Sequence, residues 1–225
     1  MSRDNLMLHI HQVQDELLLM GSLVEQATIQ SVEALKKRDV KAATEVYHAD
    51  TQVNEKRYAI ENSVLILIAT QQPLAHDLRL LAALLEVSAE IERMGDYAKG
   101  IAKVVIKLSD FDIPIPIKDI EQMATLALGM LRKSLSAFVT EDAVAAKAIP
   151  LEDDKVDVVY NRVLRHVVDL MVEKPQIIDH ANLLMWVAHN LERMADRVSN
   201  ICERTIFVAT GELMEIESKK KEMKI

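Results

Sequence analysis

The sequence predicts an all-α protein of six long helices, arranged as two tandem three-helix bundles related by an internal repeat. Three observations carry that prediction. Apolar residues recur at helical spacing through most of the chain. Only five Gly and five Pro, with 4% aromatic residues, interrupt or bias its 225 residues against helix. Finally, Ile91-Glu92-Arg93-Met94-Gly95-Asp96-Tyr97-Ala98-Lys99-Gly100-Ile101-Ala102 returns one hundred positions later as Leu191-Glu192-Arg193-Met194-Ala195-Asp196-Arg197-Val198-Ser199-Asn200-Ile201-Cys202, with five of the twelve positions identical.

Each element follows from local signals. Leu6, Ile10, Val13, Leu17, Met20, Val24 and Ala27 set the apolar stripe of a first helix that ends near Lys36-Lys37-Arg38. Asp39 is a good N-cap for a second, which runs to about Thr70 and stops before Pro73 because residues preceding proline avoid the helical region. A third spans roughly Pro73 to Ser109 and holds the first motif copy. Asp110-Phe111-Asp112-Ile113-Pro114-Ile115-Pro116 breaks the pattern and is the mid-chain linker, which divides the chain into repeats 1–112 and 113–225. A fourth helix covers about Ile117 to Thr140. Asp142 caps a fifth that ends near Pro175 and is expected to kink at Pro150. The sixth holds the second motif copy and ends near Thr210, where Gly211 is a C-cap signal.

The repeat extends beyond the motif. Asp39, Ala42 and Ala43 correspond to Asp142, Ala145 and Ala146; Asp50 and Val53 correspond to Asp153 and Val156; Pro73 corresponds to Pro175. Each half is therefore one helix-helix-helix unit of about one hundred residues, with short connections that make consecutive helices antiparallel neighbours.

Within the motif, the apolar stripe faces a core, while Glu92 and Asp96 fall about 40° apart on an exposed ridge, as do Glu192 and Asp196. Like charges at i and i+4 repel, so carboxylate pairs at the same point of both halves call for compensation. The preceding helices carry a second set of pairs at the same spacing, Asp50 with Asn54 and Asp153 with Asp157. Antiparallel helices pack about 8–10 Å apart, close enough for such side chains to converge on a cation. Oxygen ligands suit Mg²⁺, Ca²⁺, Mn²⁺ or iron, and bridging carboxylates hold more than one ion. The competing reading is a solvated acidic face, with Arg93, Lys99 and Lys103 neutralising the first pair. The second half is the stronger metal candidate, since Glu203 extends its ridge where the first half has Lys103.

Charge and composition exclude several classes. A net charge of −8 argues against nucleic-acid binding, and the one basic cluster, Lys219-Lys220-Lys221, lies in the tail. The single cysteine, Cys202, lies on the apolar stripe and reads as a buried, inert thiol. The longest apolar run, Val64 to Ala69, is far too short to span a bilayer, and no signal-peptide pattern is present, so a cytoplasmic protein is expected. No Gly-rich phosphate loop, nucleophile elbow or zinc spacing occurs, and no enzyme activity is expected. Glu45-x-x-His48 has the spacing used in carboxylate-bridged di-iron bundles, but such sites need two of these motifs.

The doubled motif, extended in the second half through Asn200, Cys202 and Glu203, resembles the PhoU family of accessory regulators of phosphate-specific transport over roughly Leu6 to Leu213. The resemblance implies a cytoplasmic all-α regulator, commonly a homodimer, that restrains phosphate uptake through the Pst ABC transporter when phosphate is plentiful and links it to the sensor kinase of the phosphate regulon. Membrane association would then be peripheral, through these partners. It also implies metal sites on Asp50, Asn54, Glu92 and Asp96 in the first half and on Asp153, Asp157, Glu192 and Asp196 in the second, for ions such as Fe, Zn, Mn or Mg. Asn54 departs from the fully acidic pattern. Arg79, in Asp77-Leu78-Arg79, matches a family position that the second half lacks, and reads equally as a structural ion-pair donor. The alternative reading is a metal-binding carboxylate bundle of iron-storage or oxidase type.

Overall fold

The structure is a computed structural model that describes residues 3–216. The helices are α1 (Arg3–Lys37), α2 (Val40–Gln71), α3 (His76–Lys107), α4 (Ile117–Val139), α5 (Ala143–Ala148), α6 (Asp153–Glu173) and α7 (Ile178–Thr210). Among the described residues there is no strand. The Lys219-Lys220-Lys221 cluster lies outside the described residues.

Helices α1, α2 and α3 pack on one another as the first bundle, and α4, α6 and α7 as the second. Stripe residues Ile10, Leu17, Met20 and Val24 of α1 are fully buried. Each such side chain removed from water contributes about 2 kcal/mol before entropy is counted. Asp39 caps α2 by accepting the Ala42 N–H at 3.0 Å, and Asp142 caps α5 by accepting from Val144 and Ala145 at 3.0 and 2.9 Å. The residues before these caps, Arg38 and Glu141, both adopt the left-handed conformation with φ of 55° and 53°, so the repeat is visible in the backbone of the two turns.

The fifth predicted helix breaks at Pro150. A 3₁₀ turn, Ile149–Glu152, separates α5 from α6 because proline lacks the N–H a continuing helix needs and its ring crowds the preceding turn. Asp153 consequently opens α6, whereas its counterpart Asp50 sits inside α2. The mid-chain linker is strapped down. Arg38 donates to the carbonyls of Phe111 and Ile113 at 2.6 and 2.7 Å and pairs with Asp112, Ile113 is buried, and Phe111 stacks on His180 with ring centroids 3.5 Å apart.

The two bundles share one contiguous core through an antiparallel pairing of α3 with α7. The contacts along this seam exchange when the halves are exchanged. Glu90 meets Asn200 and, on the other side of the pseudo-twofold, Gly100 meets Asn190, whose Nδ2 would lie 2.8 Å from any Cβ at position 100. At the seam, the buried carboxylate of Glu90 accepts hydrogen bonds from Asn200 at 2.9 Å, Arg197 at 3.3 Å and Arg93 at 2.6 Å, while Arg197 Nε donates to the Tyr97 hydroxyl at 3.2 Å. A buried charge held this way stabilises only while its donors remain paired. Glu90→Gln keeps the shape and removes the charge, so thermal unfolding should show a loss of about 2 kcal/mol, a fall in Tm of about 6 °C for a chain of this size.

Candidate functional site

In the first half, the faces of α2 and α3 bring the predicted residues together around Asp50. Its side chain, on the inner side of α2, is 4% exposed. A carboxylate withdrawn from water needs strong donors, and Lys99 of α3 supplies an ammonium at 2.6 Å while the Asn54 amide, one turn along, donates at 3.3 Å. Glu92 faces Arg57 at 3.7 Å. Burial, then the negative charges of Asp96 and Asp50, push the Glu92 carboxyl above its ordinary pKa against the pull of Arg57. The bond to Asp50 holds the Lys99 ammonium above the usual lysine range. Lys99 and Lys103 also lie 5.3 and 5.4 Å from the centre of the Tyr47 ring.

The expected neutralisation of the first pair therefore takes a different form. Arg93 turns to Glu90, Lys103 lies over Tyr47, Lys99 serves Asp50 on the neighbouring helix, and Arg57 rather than any residue of the motif meets Glu92.

The second half is built differently. Asp153 is buried at the first turn of α6, where the positive end of the helix macrodipole favours a negative charge. Asp157 is half-buried one turn later. On α7, Glu192 lies 3.6 Å from His189 Nδ1 and Asp196 lies 3.3 Å from Arg193. Tyr160 and Ser199 occupy the positions that Arg57 and Lys99 hold in the first repeat. Glu203 does not simply extend the ridge: its Oε1 accepts the backbone N–H of Ile216 at 2.9 Å and so anchors the segment after α7.

Among the described residues, no group of three or more His, Cys, Asp or Glu side chains converges to hold one ion. The donor chemistry nevertheless separates the two ridges. The first has an ammonium on its most buried carboxylate and an amide in place of one acid, a set that does not suit a cation. The second presents four carboxylates, Asp153, Asp157, Glu192 and Asp196, whose hard oxygens suit Mg²⁺, Mn²⁺ or iron.

Other candidates find structural roles. Arg79 is half-buried beside the end of α7, where its Nη2 donates to the Val208 carbonyl at 3.4 Å and its guanidinium lies close to Gly211, the left-handed cap at φ 82°. A cation there complements the negative end of the helix. Glu45 and His48 are exposed on α2 rather than turned into the bundle. The Glu90 cluster carried no signal in the sequence beyond its place one residue before the motif, because its partners Arg197 and Asn200 are more than one hundred positions away.

Comparison with known proteins fits this two-part geometry. A family model described as PhoU domain matches residues 17–105 and again 120–205, so each match encloses one complete ridge. The chain belongs to the PhoU family. The phosphate-specific transport system accessory protein PhoU homolog of Streptococcus pneumoniae is 31% identical over 214 residues, 95% of this chain and 99% of the relative. A PhoU homolog of Clostridium acetobutylicum is 32% identical over 208 residues, 92% of this chain and 95% of the relative. Among solved structures, the phosphate transport system regulatory protein PhoU from S. pneumoniae superposes with a TM-score of 0.86 at 30% identity, covering 93% of this chain and 99% of that one. PhoU from Pseudomonas aeruginosa gives a TM-score of 0.84 at 31% identity, covering 91% and 98%.

Cys202 lies in the α7 part of the PhoU repeat, fully buried, and burial followed by the charge of Glu203 pushes its thiol up to about 12. Only thiolate reacts with alkylating reagents. Iodoacetamide at pH 8 should leave Cys202 unmodified in the native protein and label it completely in denaturant, as read by intact mass.

Proposed function

We propose that this chain is a non-enzymatic regulator of phosphate uptake and of phosphate-regulon signalling. It acts in the cytoplasm on the Pst ABC transporter and its associated sensor kinase, and restrains both when phosphate is plentiful. The observation that carries this reading is the end-to-end match, in sequence and in shape, to proteins named as accessory or regulatory components of phosphate transport, with both repeats present. The physical character of the molecule supports it. Long helices expose broad, rigid faces of the kind that dock on partner proteins, and the net charge of −8 disfavours nucleic acid as the partner. No helix of the described residues is long and apolar enough to cross a membrane, so contact with a transporter would be peripheral. The working form is a homodimer.

Metal belongs to this reading as a structural or regulatory ion, Fe, Zn, Mn or Mg, held on the acidic ridge of the second half. Iron storage or oxidase chemistry is the weaker alternative, because Glu45 and His48 face solvent and a di-iron bundle needs its carboxylates and histidines turned inward.

Deleting the gene and measuring phosphate uptake and regulon expression in phosphate-replete cells tests the proposal. Regulon genes should become expressed despite ample phosphate, and restoring the intact chain should silence them. Unchanged uptake and expression would contradict the assignment.

A further inference from the structure

We propose that the segment following α7 is a basic strap: Lys219-Lys220-Lys221 folds back along α7 and seats on the acidic ridge of the second half, covering it. No metal at that ridge is needed for this, since the strap and an ion are alternative occupants of one face.

The direction of the chain after α7 is set by two features. Gly211, in the left-handed conformation at φ 82°, ends the helix and lets the backbone turn. Five residues later the Ile216 N–H donates to Glu203 Oε1 at 2.9 Å, and the half-buried Ile216 side chain packs against the core. Glu203 lies two turns before the end of α7, about 10 Å back along its axis. The chain has therefore reversed, and it runs antiparallel to α7 as it reaches residue 217. Residues 217–225 lie outside the described residues. The helix face ahead of them carries Asp196 and Glu192, which stand seven and eleven positions before Glu203 and so share its side of α7.

Register and charge agree. An extended residue advances about 3.3 Å and a helical one about 1.5 Å, so each residue of an extended strap passes roughly two of α7. Lys219, three residues beyond Ile216, comes level with Asp196, and Lys221, five beyond, comes level with Glu192. The ridge formed by Asp153, Asp157, Glu192, Asp196 and Glu203 holds five carboxylates. Glu192 keeps His189 at 3.6 Å and Asp196 keeps Arg193 at 3.3 Å; the lysines compensate the negative charge that remains. The first half holds its lysines on the helix itself, with Lys99 2.6 Å from Asp50 and Lys103 one turn on. At the matching positions the second half has Ser199 and Glu203, and Glu203 is the residue that clamps the segment carrying the lysines.

The test uses the full-length chain at low salt with a zero-length carbodiimide, which joins a lysine to a carboxylate only where the two are in contact. Peptide mapping should find Lys219, Lys220 or Lys221 coupled to Asp196 or Glu192. In a mixture of ¹⁵N-labelled and unlabelled protein, each coupled peptide should carry a single label, which places both ends in one chain. Trypsin cleavage after these lysines gives an independent reading, because it follows the fraction of time the strap is lifted. Cleavage should be about tenfold faster in Glu203→Ala, which releases the clamp, and in Asp196→Asn with Glu192→Gln, which discharges the ridge, whereas Glu192→Asp should keep the protection. Raising the salt to about 1 M, where the screening length falls to about 3 Å, should also speed cleavage of the wild type. The wild-type coupling pattern stands whether or not a variant folds. Coupling to other carboxylates alone, or only between labelled and unlabelled chains, would overturn the inference, as would equally fast cleavage of wild type and folded variants. Sedimentation of the wild type with phosphatidylserine vesicles, without coupling to the ridge, would make the lysines a lipid anchor and overturn it likewise.

Discussion

The antiparallel contact between α3 and α7 is the constraint on which the rest of the molecule depends. Each half could bury only part of the apolar surface of its third helix; pairing α3 with α7 joins the two bundles in one core. The seam is not purely apolar. Glu90 is placed within it and satisfied by donors from both halves, so the register of α3 on α7 is fixed by hydrogen-bond geometry as well as by packing. A one-turn slip along the seam would separate Glu90 from Arg197 and Asn200 and leave a buried carboxylate without them, which is a far larger penalty than shifting Leu against Leu. The ridges are held at fixed spacing as a result, since Glu92 and Asp96, like Glu192 and Asp196, ride on the two helices whose register is set there.

The internal symmetry explains why the halves are so easily recognised and why their differences matter. A duplicated helix-helix-helix unit inherits the same cap chemistry, seen in Asp39 and Asp142 with their left-handed predecessors, and the same acidic motif. One divergence falls where charge is buried. Asp50 stays within a continuous helix and depends on Lys99, whereas Pro150 turns the equivalent aspartate into a helix-starting residue. The same acidic pairs can therefore sit in different electrostatic surroundings, and motif matching alone would treat them as equivalent.

Much of this was legible in the sequence, for reasons of range. The caps at Asp39, Asp142 and Gly211 and the extents of the other long helices follow from residues within a turn or two of each other, whereas the expected fifth helix, foreseen as kinked at Pro150, is split there into two. The i, i+4 acidic pairs follow from helical period alone. What the sequence withheld depends on side chains from distant segments. Lys99 reaches Asp50 across 49 positions, Arg57 meets Glu92, Arg38 straps down the linker at Phe111 and Ile113, and Glu203 holds the Ile216 amide; each requires knowing which helix faces which and in what register. Electrostatic complementarity suggested partners for the ridge acids, and it chose Arg93 and Lys103 where packing chose Arg57.

Amide hydrogen exchange across a denaturant series measures most directly whether the α3–α7 seam makes one structure of the two repeats. The most protected amides of α2, in the first half, and of α6, in the second, should exchange through the same global opening, with one free energy and one denaturant dependence. Exchange of either half at markedly lower free energy, while the other remains protected, would contradict the shared core and show two bundles that merely touch.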